Sequence, residues 1–160
     1  MASTIDVAHY AVMLASYAAR NQAKIAYTEG GSRWDGIDHS RDFPELPHYA
    51  DCSAFCTWVF WASRRHVRGS AGADIVNGQR WMAGYTGTMI NHGARHRDNS
   101  PGTLWKPGRT CVFYADSGST PTHVALYVGN GRVISHGSQS GPQSRPYNYR
   151  RIVQARAYAI

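Results

Sequence analysis

The run from Asp51 to Trp61 most restricts what this chain can become. Asp51 has the side chain of a helix N-cap, Cys52 follows as the first helical residue, and Ala54 to Trp61 is apolar on nearly all sides. A helix with no polar face belongs inside a core. The same stretch puts a thiol where the helix begins, beside unpaired backbone N–H groups and the positive end of the helix dipole, both of which favour thiolate. Two readings stand together at this point: Cys52 as a nucleophile, and Cys52 as a small buried hydrophobe, which is what most free cysteines are.

At 160 residues the chain is expected to form one domain, residues 1–160, large enough to bury a core without metals or disulfides. Its formal charge of +7 suits an acidic partner, whether nucleic acid, an anionic membrane or an anionic cell-wall polymer. The arginines are scattered and no RNA- or DNA-binding signature appears, so nucleic acid is not an expected partner. Three cysteines make no disulfide framework, and Cys52 with Cys56 lacks the spacing of a zinc site, so neither metal nor cofactor is expected. Met1 to Thr4 has no basic segment leading into an apolar one, and no stretch is long enough to span a membrane. The expectation is a monomer made in the cytoplasm without a signal peptide, acting elsewhere only after release.

Ser3 with Asp6 marks a helix start, and Ile5, Ala8, Val12, Ala15 and Ala19 recur at helical spacing up to Arg20. Residues 32–50 read as an irregular surface loop, of a length that often carries binding function. The Cys52 helix should end around Arg64-Arg65-His66, and residues 74–93 should hold one or two short helices. Strands are expected at Thr110–Tyr114, His123–Val128 and Arg132–His136, with a fourth between Ile152 and Tyr158. Helices first and an antiparallel sheet last make an α+β layout.

Gly129-Asn130-Gly131 is a hairpin signal, because Asn-Gly satisfies the positive φ angles of a type I′ turn. A two-residue turn pairs Gly129 with Arg132, sets Ala125 opposite His136 and puts His123, Ala125, Tyr127, Ile134 and His136 on one sheet face. A Cys–His pair oriented by a third polar group is the arrangement thiol acyl transfer needs. For either histidine alone, a tolerated place at a strand end is the commoner reading.

Several motifs, in order along residues 5–136, resemble those of the NlpC/P60 cysteine peptidases, papain-like enzymes acting on bacterial peptidoglycan. Tyr27-Thr28-Glu29-Gly30-Gly31 resembles the family's Tyr-x-x-Gly-Gly, Asp51-Cys52-Ser53 its Asp-Cys-Ser, and Pro107-Gly108 before Cys111-Val112-Phe113-Tyr114 its Pro-Gly-Asp and apolar strand. His123-Val124-Ala125-Leu126-Tyr127 and Ile134-Ser135-His136-Gly137 resemble its two hairpin strands. The resemblance implies a papain-like α+β fold with Cys52 as nucleophile, His123 as base, His136 as orienting group and Tyr27 beside the oxyanion. Gln139 and Asn148 are alternatives for the orienting role. It further implies a peptidoglycan endopeptidase that cleaves a stem-peptide or crosslink bond, in keeping with a bacteriophage endolysin. Alternatives are an N-acetylmuramoyl-L-alanine amidase on the same fold and a non-catalytic wall-binding module. Glu29, Ala54 and Arg109 depart from the family pattern. Cys56, Cys111, Trp58 and Trp61 are expected in the core; Trp34, Trp81 and Trp105 are candidates for core or groove wall; Ser138, Gln139, Gly141 and Pro142 are expected at the cleft rim.

Overall fold

A computed structural model describes residues 6–38, 45–137 and 141–160. Helix α1 (Val7–Arg20) starts at Asp6, whose carboxylate accepts the His9 N–H at 2.7 Å. The cap is therefore Asp6, and Ser3 lies outside the described residues. The apolar side of α1, with Val7, Tyr10, Ala11, Leu14, Ala15 and Ala18 buried, packs on helix α3 (Cys52–Arg68).

Helix α3 is buried from Cys52 through Ser63, as its missing polar face requires, and runs on to Arg68, beyond the predicted end at His66, before Gly69 closes it. Side chains of α1 cover it on one side and the sheet covers it on another. Cys56, Trp58 and Trp61 are in this core, together with Cys111.

The stretch expected to be an irregular loop carries structure of its own. Strand β1 (Ala26–Tyr27) pairs in parallel with strand β2 (Tyr49–Ala50), and between them lie a 3₁₀ turn at Gly31–Trp34 and the one-turn helix α2 (Asp35–Asp38). Trp34 is buried in the main core, so it is not a groove wall. The parallel pair delivers Tyr27 and Asp51 to the same end of α3. Residues 74–93 contain one short helix, α4 (Thr86–Met89), among the described residues.

The sheet has six antiparallel strands: β3 (Ala94–Arg95), β4 (Thr110–Tyr114), β5 (His123–Gly129), β6 (Arg132–Ser135), β7 (Gln143–Pro146) and β8 (Ile152–Ala157), in the order β3-β8-β4-β5-β6-β7. One face, with Val124, Leu126, Ile134 and Phe113, lies against α3. The other carries Val112, Tyr114, Ala125, Tyr127 and Val133 beneath Trp105, which is thereby buried rather than lining a groove.

The β5–β6 hairpin departs from its expected register. Gly129 pairs with Arg132, and Asn130 and Gly131 take φ of 55° and 70°, as the two-residue turn requires. Just before the turn, however, β5 carries an extra residue: Tyr127 pairs with Val133 and Leu126 with Ile134. Continued along the strands, this register sets Ala125 opposite Ser135. His136 is thus moved to the α3 face while His123 stays on the other, because one added residue reverses side-chain alternation beyond it. The same-face histidine pair does not form.

Candidate active site

The start of α3 is built tightly. Asp51 Oδ1 accepts the Ala54 N–H at 2.7 Å and the Ser53 hydroxyl at 3.0 Å, and Arg33 stands 3.6 Å from its other oxygen. Cys52 is buried, and its sulfur is approached by the backbone N–H groups of Ser53 and of Val124 on β5. The contact with Val124 brings the sulfur to the residue next to His123. Sequence reasoning expected the helix start to favour thiolate. Burial outweighs it: desolvation first and the Asp51 carboxylate second push the thiol up to about 12, against the lowering effect of those two N–H groups. The resting side chain is a protonated thiol, and it needs a base to react.

His123, 6% exposed, is the titratable group on the neighbouring strand position. Burial lowers its pKa to about 4, with the Arg150 guanidinium and His136 adding to the effect. The ring is therefore neutral at pH 7 and able to accept a proton. Its Nε2 lies in hydrogen-bond contact with Ser135 Oγ, which leaves Nδ1 for the thiol. Tyr149 approaches from beyond β7: its hydroxyl donates to Ser135 Oγ at 3.0 Å and its ring stands edge-on to the imidazole, 6.4 Å between centroids. Tyr114 is 5.9 Å from the imidazole on another side.

His136 is fully buried against Phe55 and Tyr27, with ring centroids 6.1 and 5.4 Å away. Its Nδ1 contacts the Gly137 carbonyl at 3.2 Å, and burial lowers its pKa. The group in contact with His123 is Ser135. Gln139 and Ser138 lie outside the described residues, and Asn148 is exposed. Tyr27 donates its hydroxyl to Glu29 at 3.1 Å, and burial followed by the nearby Cys52 raises its pKa.

A cavity of about 310 Å³ opens here, lined among others by Tyr27, His123, Ser135, His136, Tyr149 and Arg150. It lies at the end of β5, where side chains from both sheet faces reach one space. Gly141 forms part of its wall, as expected for the rim. Among the described residues its lining includes two arginines and no carboxylate, so the site favours an electron-rich ligand and disfavours imidazolium. Ser135, Tyr149 and Arg150 were missed from the sequence. The signal available for Ser135 was Gly129, since a glycine immediately before an Asn-Gly turn is where a bulge forms easily.

The fold is α+β, with a cysteine heading a buried helix and a histidine at the head of an adjacent strand. The model of the NlpC/P60 family matches residues 26–157, and the chain belongs to that family. No curated protein sequence matches it. Among solved structures, NlpC1 from Trichomonas vaginalis superposes with a TM-score of 0.61 at 18% identity, covering 99% of this chain and 46% of the other. The NlpC/p60 domain of the peptidoglycan hydrolase SagA gives 0.57 at 18% identity, covering 96% and 99%. The peptidoglycan hydrolase RipB from Mycobacterium tuberculosis gives 0.51 at 21% identity, covering 93% and 65%. The chain thus spans just under half the length of the Trichomonas protein and almost all of the SagA domain.

Proposed function

We propose that this chain is a peptidoglycan hydrolase that cleaves a peptide bond of the stem or crosslink peptides through an acyl-enzyme on Cys52. The observation that carries the reading is the sulfur of Cys52 against the Val124 N–H, one residue from a neutral buried His123. His123 Nδ1 takes the thiol proton as sulfur attacks the scissile carbonyl. The resulting oxyanion is met by backbone N–H groups at the start of α3, with Tyr27 able to add its hydroxyl after leaving Glu29. Collapse breaks the C–N bond, and the leaving amine receives the proton from His123. Water then attacks the thioester with His123 again as base, releasing a carboxylic acid and restoring the thiol.

Family membership supports the substrate class, and the charge of +7 supports action on an anionic wall, including deployment as a bacteriophage lysin. The test is mass spectrometry of soluble fragments from purified peptidoglycan incubated with wild type and with Cys52→Ala, folding being verified by circular dichroism. New peptide amino termini from the wild type alone are the expected result. New stem peptides beginning at the residue attached to muramic acid would instead assign an amidase. Equal clearing of wall suspensions by both proteins would assign a binding module, and no fragments from either would reject the enzyme on this substrate.

A further inference from the structure

We infer that Ser135, held in place by Tyr149, orients His123 in this chain, in the role the sequence pattern suggests for His136. The inference rests on the reading of His123 as the base of a thiol hydrolase, and it adds two hydroxyl residues to that site.

Three observations carry it. Ser135 Oγ is the side-chain atom in hydrogen-bond contact with His123 Nε2, and both residues are buried. Tyr149 Oη donates to the same Oγ at 3.0 Å. The Tyr149 turn is itself anchored, because Tyr114 Oη donates to the Tyr147 carbonyl at 2.7 Å and the Tyr147 N–H bonds the Gly131 carbonyl at 2.9 Å. Strand β4 and the hairpin turn thus fix the phenol that fixes the serine.

Counting donors and acceptors leaves two proton arrangements, Ser135 donating to Nε2 or accepting its N–H, and the base role of Nδ1 selects the second. A serine hydroxyl has one proton and two lone pairs. In that arrangement Tyr149 occupies one lone pair, the other accepts the Nε2–H of His123, and the Ser135 proton is free to turn to the cavity that Ser135 lines. This holds the imidazole in the tautomer whose Nδ1 is unprotonated, which the base requires. When Nδ1 takes the thiol proton, the Nε2–H stays on Ser135 and no rearrangement is needed. His136 has no access to that nitrogen, since the bulge in β5 turns it to the α3 face. Burial keeps the base weakly basic and Arg150 adds to it, and a neutral hydroxyl pair, with no carboxylate among the described lining residues, leaves that effect without an opposing charge.

Ser135 and Tyr149 are positioning residues, and their test needs a readout that packing alone does not move. Nitrogen NMR of His123 in the full chain without substrate should show the Nε2–H tautomer in the wild type and in Ser135→Thr, and a mixture or its inversion in Ser135→Ala. His136→Gln should leave the His123 tautomer unchanged. Ser135→Asp, which gives Nε2–H a carboxylate, should move the His123 titration midpoint upward and the acidic limb of the activity profile with it. In turnover of peptidoglycan peptides, Ser135→Ala should lower kcat by about 10- to 100-fold with KM nearly unchanged, Tyr149→Phe should lower it less, and Ser135→Thr should recover most of it. An unchanged tautomer in a folded Ser135→Ala, or a tautomer lost in His136→Gln, overturns the inference while leaving the hydrolase reading intact. A tautomer that depends on Ser135 in a protein that cuts no peptidoglycan overturns the hydrolase reading and leaves this one standing.

Discussion

Acidification should destabilise this fold through His123 by an amount that the structure sets. The ring is 6% exposed, walled by Tyr114 and Tyr149, and near the Arg150 cation, so its pKa falls to about 4. In the unfolded chain the same ring titrates near 6.5. Above about pH 6.5 both states hold it neutral and the full stability is present. As the pH falls from about 6.5 to about 4, the unfolded chain binds a proton that the folded chain does not, and stability is lost; below about 4 both are protonated and the loss stops. At about 1.4 kcal/mol for each step in pKa, that window corresponds to about 3 kcal/mol. Urea unfolding at pH 7, 6, 5 and 4 measures it, with His123→Gln as the reference. The variant should lose about 3 kcal/mol less than the wild type across the series, most of the difference arising between pH 6 and 4.5. His136, whose pKa burial also lowers, is present in both proteins. Parallel curves for the two would refute the account of His123 as a neutral, desolvated ring.

Asp51→Ala should cost about 1–2 kcal/mol in denaturant unfolding, because it removes the cap on the Ala54 N–H and the partner of Ser53. It should also lower the pH at which Cys52 is alkylated, since the carboxylate is the second cause of the raised thiol pKa. At pH 7, iodoacetamide should modify Cys52 about tenfold more slowly in His123→Ala than in the wild type, followed by peptide mass mapping. Gly108→Ala should lower stability by about 2 kcal/mol or more in thermal unfolding, because φ is 76° there and a Cβ would stand 2.1 Å from the Ala8 carbonyl oxygen. Glu29→Gln should lower the pKa of Tyr27, read by ultraviolet titration of the phenol, as Glu29 contributes to holding it up by hydrogen bond and by charge.

What could be read from the sequence was what local chemistry decides. Asp51 and the apolar run after it announce α3 because a cap and an all-round apolar surface are properties of consecutive residues. Asn130-Gly131 announces its turn for the same reason. Strand β7 was not legible: Gln143-Ser144-Arg145-Pro146 has no alternation and is a strand because β6 offers it an edge. The two-residue strands β1 and β2 are likewise products of the parallel pairing that α3 imposes on its approach. At the site, Cys52 and His123 were marked by motif and position. Ser135 was hidden behind a wrong register, and Tyr149 behind the separation of 14 residues across which its hydroxyl reaches back. The expected activated thiolate failed on magnitude, since helix-start N–H groups compete with full desolvation of the sulfur and lose.

The extra residue in β5 acts like a parity bit for the hairpin. Ser135 and His136 are chain neighbours, and whether Val128 is left out of the ladder or paired within it decides which of them meets the imidazole. Deleting Val128 would even out the ladder yet keep Tyr127 opposite Val133 and the hydroxyl beside the base; only a ladder that took Val128 in as the partner of Val133 would exchange that hydroxyl for a second imidazole, with neither residue mutated. Strand pairing, as much as side-chain identity, selects the group that faces the base at this end of the sheet.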